Sequence, residues 1–163
     1  MKIRLANKNE AKQLSYLKKE VWETTYRGIY DDEVIDNYDY IKREEKFNNL
    51  IESNNQEVYI CIIDKKIVGY MVLGTPLHEG LDGYDLSIND LGIDKQYRGM
   101  GIGKQFLNIA KSKNKKLFNS CNYYNENAKK FYEKMGGKII KSVMEENKRN
   151  CQVYFVYDEC KPN

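Results

Sequence analysis

Three glycines alternate with other residues in the segment QYRGMGIGKQFL, where Gly99, Gly101 and Gly103 follow an apolar stretch and precede a helical pattern. A glycine inside a regular element costs about 0.5–1 kcal/mol relative to alanine, so the cluster predicts that something must approach the bare backbone closely. A glycine-rich turn between a strand and a helix exposes unpaired N–H groups, and the helix dipole favours negative charge there. The segment therefore predicts an anion site, and several amides together would suit a pyrophosphate.

Two familiar phosphate loops do not fit this segment. A Walker loop requires GxxxxGK[ST], and although Lys104 follows Gly99 by five positions, the intervening pattern is absent. The dinucleotide fingerprint GxGxxG would need its third glycine at Lys104, and no acidic residue follows in the parallel context that this fingerprint requires.

A second constellation lies downstream in NENAKKFYEKMGGK, residues 125–138. Apolar positions at i, i+3, i+4 and i+7 predict an amphipathic helix that ends near Gly136. Asn125 precedes this helix and is a good N-cap residue. The apolar positions are Ala128, Phe131, Tyr132 and Met135.

The two motifs together resemble those of the GNAT acetyltransferase superfamily. Arg98, Gly101 and Gly103 resemble the family's acetyl-CoA loop, Q/R-x-x-G-x-G/A. The downstream helix resembles the family pattern N-x-x-A-x-x-x-Y-x-x-x-G, through Asn125, Ala128, Tyr132 and Gly136. The likeness extends more weakly over the N-terminal strand and helix and the IVGY hairpin, so it covers nearly the whole chain. One departure is Gly137-Lys138, where the family usually has an aromatic residue after the first glycine.

The resemblance implies how acetyl-CoA binds. The sheet is expected to splay beside strand 85–93, so that the pantetheine arm inserts there like an extra strand. The backbone of Leu91, Gly92 and Ile93 would bind the pantetheine and polarise the thioester carbonyl. Amides 98–104 would hold the pyrophosphate. The cofactor residues implied are these three together with Arg98, Gly99, Met100, Gly101, Ile102, Gly103, Lys104, Asn125 and Ala128.

Direct acetyl transfer to an amine requires a stabilised oxyanion, a proton acceptor and a proton donor. The resemblance makes Tyr132 the donor, and a phenol with an ordinary pKa of about 10 stays protonated at neutral pH; alternatively, Tyr132 only packs within its helix's apolar stripe. Asp90 is the candidate base, and strand alternation predicts that it shares a face with Ile88 and Gly92. A water chain, or an ordinary edge carboxylate without a catalytic role, is the alternative.

The acceptor side is implied by the same resemblance to lie in residues 22–32 and 75–85. Both segments are aromatic and acidic, which predicts a cationic amine of a small molecule or peptide; solvated loop charges are the alternative explanation. The implied substrate-binding residues are Tyr26, Tyr30, His78 and Tyr84, and the acidic ones are Asp31, Asp32, Glu79, Asp82 and Asp85.

The surrounding elements are predicted from periodicity. Residues 2–5 form a strand, Leu14, Leu17 and Val21 recur at helical intervals, and residues 40–53 form another helix. Two hairpins flank a strand–loop–helix–strand–helix unit. We therefore expect a single α+β domain over residues 1–163, with three layers and a mixed, mostly antiparallel central sheet of six or seven strands flanked by about four helices.

Composition excludes several other classes. The net charge of +3 is small, and basic and acidic residues are interspersed, so a nucleic-acid partner is not expected. No apolar run approaches the roughly 20 residues that span a bilayer, so no membrane is expected. A single histidine and four scattered cysteines predict no metal site and free thiols in a reducing cytoplasm. The resemblance also suggests a homodimer.

Three functions are consistent with these patterns. The first is an acetyl-CoA-dependent N-acetyltransferase. The second is a non-catalytic acyl-CoA-binding or regulatory module, which Asn89 favours because it replaces a carboxylate, and which Tyr132 disfavours. The third is a phosphate- or nucleotide-binding domain, which would leave the helix after Asn125 unexplained.

Overall fold

Seven strands form one sheet in a computed structural model that describes residues 1–158. Their spatial order is β1-β2-β3-β4-β5-β7-β6, and every neighbouring pair is antiparallel except β4 and β5. The mixed, mostly antiparallel sheet is therefore confirmed. The strands are β1 Lys2–Leu5, β2 Gln56–Ile63, β3 Lys66–Gly74, β4 Leu86–Ile93, β5 Leu117–Asn122, β6 Lys138–Val143 and β7 Gln152–Val156.

Five α-helices accompany the sheet within residues 1–158, close to the expected number of about four. The second is short: Asp32–Asp36 forms its own turn because Ile35 is completely buried against Trp22 and Tyr38. The helices are α1 Ala11–Thr25, α2 Asp32–Asp36, α3 Tyr40–Glu52, α4 Ile102–Ser112 and α5 Glu126–Lys134.

The two largest clusters of buried residues within residues 1–158 lie on opposite faces of the sheet. Leu14 of α1 and Phe47 of α3 pack on one face with Ile60 and Tyr70. The other face holds α4 and α5, whose apolar stripes predicted this burial. Its members include Ile102, Phe106, Leu107, Tyr132 and Phe155.

A β-bulge at Asn89 changes which way β4 presents its side chains. Val72 is opposite Asp90, but the next residue, Leu73, is opposite Ile88, so Asn89 is the additional residue. A bulge shifts the alternation of a strand by one residue. Ile88 therefore packs on the α4 side, whereas Asp90 reaches Lys18 of α1 on the other side. The prediction that Asp90 shares a face with Ile88 is wrong, because simple alternation does not include the bulge.

The sheet splits between its two parallel strands. β4 and β5 pair only from Leu86 opposite Leu117 to Ile88 opposite Asn119. Beyond this point β4 stays with β3 and β5 stays with β7, so the last five residues of β4 have a free edge toward β5. The splay that the resemblance implied is present, and it lies at the predicted strand.

An ion-pair network fixes the junction of α1 and α2. Glu23 accepts hydrogen bonds from Lys19 at 2.7 Å and from Arg27 at 2.8 Å, and these bonds lower the pKa of Glu23 to about 2. Because the folded pKa is below the ordinary value of 4.5, ionised Glu23 stabilises the fold above pH 4.5, and this contribution disappears as the pH falls toward 2.

Glu23→Gln should therefore lower the Tm at pH 7 by more than it does at pH 3. An equal loss at both pH values in thermal unfolding would contradict the network's role.

Candidate active site

The structure explains the presence of the three loop glycines in two different ways. Gly99 and Gly101 adopt φ values of +82° and +85°, in the left-handed region that favours glycine, and Gly101 is the N-cap of α4. Gly103 lies inside α4, where a Cβ would come within 2.7 Å of the Phe131 ring of α5. Two glycines therefore turn the chain, and the third lets α5 approach α4.

The loop leaves a row of amide groups without partners. The first amide of α4 to bond within the helix is that of Gln105, which donates to the Gly101 carbonyl at 3.1 Å. Among the hydrogen bonds of residues 1–158, none satisfies the amides of residues 99–104. Exposed Lys104 and Met100 border the same turn. This donor set fits a pyrophosphate.

Arg98 is held against the protein. Its Nε donates to the Ile93 carbonyl at 3.1 Å, and one terminal nitrogen contacts the hydroxyls of Thr24 and Thr25 at 3.3 and 3.2 Å. These contacts join the loop to the end of β4 and to α1. The resemblance implied only that Arg98 is one of the cofactor residues, and the observed geometry favours a residue that positions the loop.

The free edge of β4 offers backbone groups from alternate residues. The Asp94 amide donates to Val68 of β3 at 2.8 Å, and N–H groups alternate in direction along an antiparallel strand. The amides of Leu91 and Ile93 and the Leu91 carbonyl therefore face the split. The backbone of Gly92 faces Tyr70 of β3 instead, so Gly92 offers no hydrogen bond to the split.

A cavity of about 1180 Å³ extends from the split toward α1 and α3. It is lined by β4 on one side, by β5 and α5 on the other, and by the loop between β3 and β4. It brings together both residues predicted for catalysis, three of the four predicted for substrate binding and three of those implied for the cofactor. Those in its lining are Asp90, Leu91, Asn125, Ala128, Tyr132, Tyr26, Tyr30 and His78.

Asp90 faces the cavity with two donors at its carboxylate. Lys18 Nζ lies 2.5 Å from one oxygen, and the Tyr70 hydroxyl donates to the other at 3.1 Å. Burial, with the Asp90 charge as a smaller cause, raises the pKa of Tyr70 well above its ordinary value. Sequence reasoning missed both partners. The signal for Lys18 was its position four residues from Leu14 on the buried stripe of α1, where a charged residue requires a partner.

Tyr132 lies across the split from β4. Its ring packs 5.5 Å from the Phe155 ring and 5.2 Å from the Phe131 ring, measured between centroids. Burial raises the pKa of the Tyr132 phenol well above its ordinary value, so the hydroxyl stays protonated at neutral pH. Asn125 caps α5 by accepting from the Ala128 amide at 3.1 Å. The structural role that the sequence allowed for Asn125 is therefore present.

Asn89 has a structural function that explains why it is not a carboxylate. Its Nδ2 donates at 2.9 Å to both Gln56 Oε1 and the Thr75 carbonyl, and its Oδ1 accepts from the Leu77 amide at 3.1 Å. The bulge residue thus anchors the loop after β3, which forms part of the cavity wall. An amide can donate and accept at once, whereas an ionised carboxylate can only accept.

The cavity lining is less acidic than the sequence suggested for the segments 22–32 and 75–85. Tyr84 lies outside the cavity lining, bonded to Asp158 and packed on Phe118. Four acidic residues from the predicted segments also lie outside it, namely Asp31, Asp32, Asp82 and Asp85. Arg43, Lys46 and Arg149 line it instead, from α3 and the turn after β6.

Metal and thiol chemistry receive no support from residues 1–158. They contain no group of three or more His, Cys, Asp or Glu side chains that could hold a metal ion. Cys121 lines the cavity, but burial raises the pKa of its thiol to about 12, so it is a poor nucleophile. Cys61, Cys121 and Cys151 are free thiols, and Cys160 lies outside the described residues. No helix in this part of the chain is long and apolar enough to cross a bilayer.

Solved acetyltransferases share this architecture. The PaiA N-acetyltransferase of Thermoplasma acidophilum, in complex with coenzyme A, has a TM-score of 0.76 at 23% identity, covering 96% of this chain and 98% of that one. A ribosomal-protein-alanine N-acetyltransferase from Brucella melitensis has a TM-score of 0.72 at 16% identity, with 96% and 98% coverage. These similarities support the fold.

A third structure has higher identity over a shorter region. A proposed streptothricin acetyltransferase from Bacillus anthracis, in complex with acetyl coenzyme A, is 29% identical with a TM-score of 0.56, covering 68% of this chain and 66% of that one. No curated protein matches the chain significantly. The model of the acetyltransferase (GNAT) domain family matches residues 54–136, about half of the chain, from β2 through the glycine loop to the end of α5. The chain therefore belongs to the GNAT acetyltransferase family.

Proposed function

We propose that this protein is an acetyl-CoA-dependent N-acetyltransferase that acetylates an amine directly. The observation that supports this most is the split between β4 and β5, because it places Asp90 and Tyr132 in the lining of one cavity. The glycine loop, with its unpartnered amides, follows β4 in the chain, and Arg98 holds it to the end of that strand. The relatives solved with coenzyme A or acetyl coenzyme A support the choice of donor.

The residues around the split fit acetyl-CoA. Amides 99–104 would bind the pyrophosphate, with Lys104 as a counter-charge, and Arg98 would hold this loop against β4. The free backbone groups of Leu91 and Ile93 would bind the pantetheine as a neighbouring strand does. Asn125 and Ala128 would border it from α5. Gly92 would contribute indirectly, because its lack of a side chain leaves room for the Tyr70 ring, whose hydroxyl donates to Asp90.

In the reaction, acetyl-CoA supplies the acetyl group as a thioester. Asp90 takes a proton from the acceptor's ammonium group, which frees the nitrogen lone pair for attack on the carbonyl carbon. The Leu91 amide stabilises the negative charge that develops on the carbonyl oxygen. As the carbon–sulfur bond breaks, Tyr132 gives its proton to the sulfur and regains one from the acetylated nitrogen. The net products are an amide, free coenzyme A and one proton released from Asp90.

Asp90→Asn tests the base. We expect kcat/KM for the acceptor to fall by about 10²-fold at pH 7 and to recover at alkaline pH, where the amine is already neutral. The measurement is thiol release from acetyl-CoA over an amine panel, with isothermal calorimetry of coenzyme A binding alongside. Asp82→Asn, an exposed carboxylate outside the cavity lining, is the matched control. An unchanged pH profile in Asp90→Asn would favour a water chain as the base.

A non-catalytic acyl-CoA-binding module is the second candidate. Asn89 no longer supports it, because the hydrogen bonds of Asn89 give that residue a structural reason. Tight coenzyme A binding without acetyl transfer to any amine would favour this candidate. The homodimer, the cytoplasmic location and the single-domain assignment stay predictions.

A further inference from the structure

Besides Lys18, which pairs with Asp90, three cationic side chains line the cavity. Arg43 and Lys46 project from α3, and Arg149 projects from the turn between β6 and β7. Within residues 1–158, no carboxylate forms a salt bridge with any of the three. Their charges are therefore available to a ligand in the cavity.

Aromatic rings hold both guanidinium groups in place. The Arg43 guanidinium carbon lies 4.8 Å from the Trp22 ring centroid, and that of Arg149 lies 5.0 Å from the Tyr30 ring centroid. The Trp22 and Tyr30 rings are themselves in edge contact, with centroids 5.5 Å apart. A guanidinium stacked on a ring keeps its N–H edge free, and this edge matches a carboxylate or phosphate in a bidentate geometry.

The acidic residues of the lining do not balance these cations. Asp90 is paired with Lys18, and Glu79 contacts Lys141 at 3.6 Å, which leaves exposed Glu145. The positive charge of Arg43 lowers the pKa of Lys46, with burial and other nearby lysines as smaller causes. A side chain that is harder to protonate because of a neighbouring cation indicates a region of positive potential.

We propose that the acceptor amine carries an anionic group, a carboxylate or a phosphate, which binds to Arg43, Lys46 and Arg149 while its amine faces Asp90. This inference rests on the proposed acetyltransferase function and names its substrate class. It replaces the cationic acceptor that the loop composition suggested. Binding energy from the anionic group would orient the amine toward the thioester.

The binding test uses Trp22, the only tryptophan of the chain, which contacts Arg43. Its fluorescence is titrated with N-acetylglycine, N-acetylalanine and N-acetylglutamate, with their methyl esters, and with O-phosphoethanolamine and ethanolamine. We expect at least one anion to bind 10-fold or more tightly than its counterpart without the anionic group, and the preferred anion distinguishes carboxylate from phosphate. Equal responses to acids and esters, or no response to any anion, would overturn the proposal.

Variants assign the binding to the three cations. Lys46→Gln and Arg149→Gln should each weaken anion binding several-fold and leave coenzyme A binding unchanged, and both residues are exposed, so the fold should tolerate the change. Arg43→Gln should weaken it more. Lys12→Gln, an exposed lysine of α1 outside the lining, is the matched control. Unchanged anion affinity in all three variants would contradict the assignment.

Turnover separates the two proposals. Acetylation of diamines such as putrescine at least as efficiently as of amino acids would overturn the anionic acceptor and leave the acetyltransferase function intact. Anion binding that depends on Arg43 and Arg149, without acetyl transfer to any amine, would support the anion site and contradict the acetyltransferase.

Discussion

Replacing Tyr132 with phenylalanine is expected to lower kcat by about 10²-fold and to leave the KM for acetyl-CoA almost unchanged. The ring packs against Phe155 and Phe131, and phenylalanine preserves both contacts. The Tyr132 hydroxyl makes no hydrogen bond with another of the described residues, so its removal should not disturb the fold. The variant therefore removes only the proton that we propose passes to the sulfur.

Steady-state thiol release with a saturating acceptor measures this effect. Tyr124→Phe is the matched control, because Tyr124 lies near the start of α5, is 38% exposed and is outside the cavity lining. The Tm of both variants should stay close to that of the wild type. A kcat of Tyr132→Phe within twofold of the wild type would mean that Tyr132 only packs within the core.

Gly92→Ala is expected to destabilise the protein by about 1–3 kcal/mol, the usual cost of overpacking a core. An alanine Cβ would lie 2.6 Å from Cε1 and 2.9 Å from Cζ of Tyr70. Tyr70 cannot move aside easily, because it is 1% exposed and its ring packs edge-on against Phe47. Since the Tyr70 hydroxyl also donates to Asp90, the displaced ring should lower kcat as well.

Urea denaturation and thermal unfolding measure the loss of stability, with a Tm decrease of roughly 2–4 °C for each kcal/mol. Gly80→Ala is the control, because its Cβ would lie 3.9 Å from Pro76, an ordinary contact. The double variant Gly92→Ala/Tyr70→Leu should lose less stability than the sum of the two single variants, since leucine removes the clash. Additive losses would show that the clash is not the cause.

The glycine loop and the helix that carries Tyr132 could be predicted because their signals are local. Gly99 and Gly101 mark a tight turn, and the periodicity around Tyr132 marks a helix with one buried face. Both signals depend on the backbone preferences of a few consecutive residues. The sequence predicted that a ligand approaches Gly103, whereas in the structure Phe131 of another helix lies close to it.

The environment of Asp90 could not be predicted in the same way. Its face on β4 depends on the bulge at Asn89, and the bulge residue bonds to Gln56 and Thr75 of a different hairpin. Its partners Lys18 and Tyr70 come from an earlier helix and strand. No local sequence pattern predicts such contacts, since they depend on how segments that are distant in the chain pack together.

The sequence by itself determined the family, the mixed sheet, the glycine loop and the position of Tyr132, because short-range backbone and hydrophobic preferences specify these features. Only the tertiary structure decided which charged side chains line the cavity. Composition suggested an acidic pocket, but the fold leaves four of the loop carboxylates outside the cavity and brings Arg43 and Arg149 to neighbouring aromatic rings. The electrostatic potential in a cavity depends on the distances between charged groups, and these distances are defined only once the chain has folded.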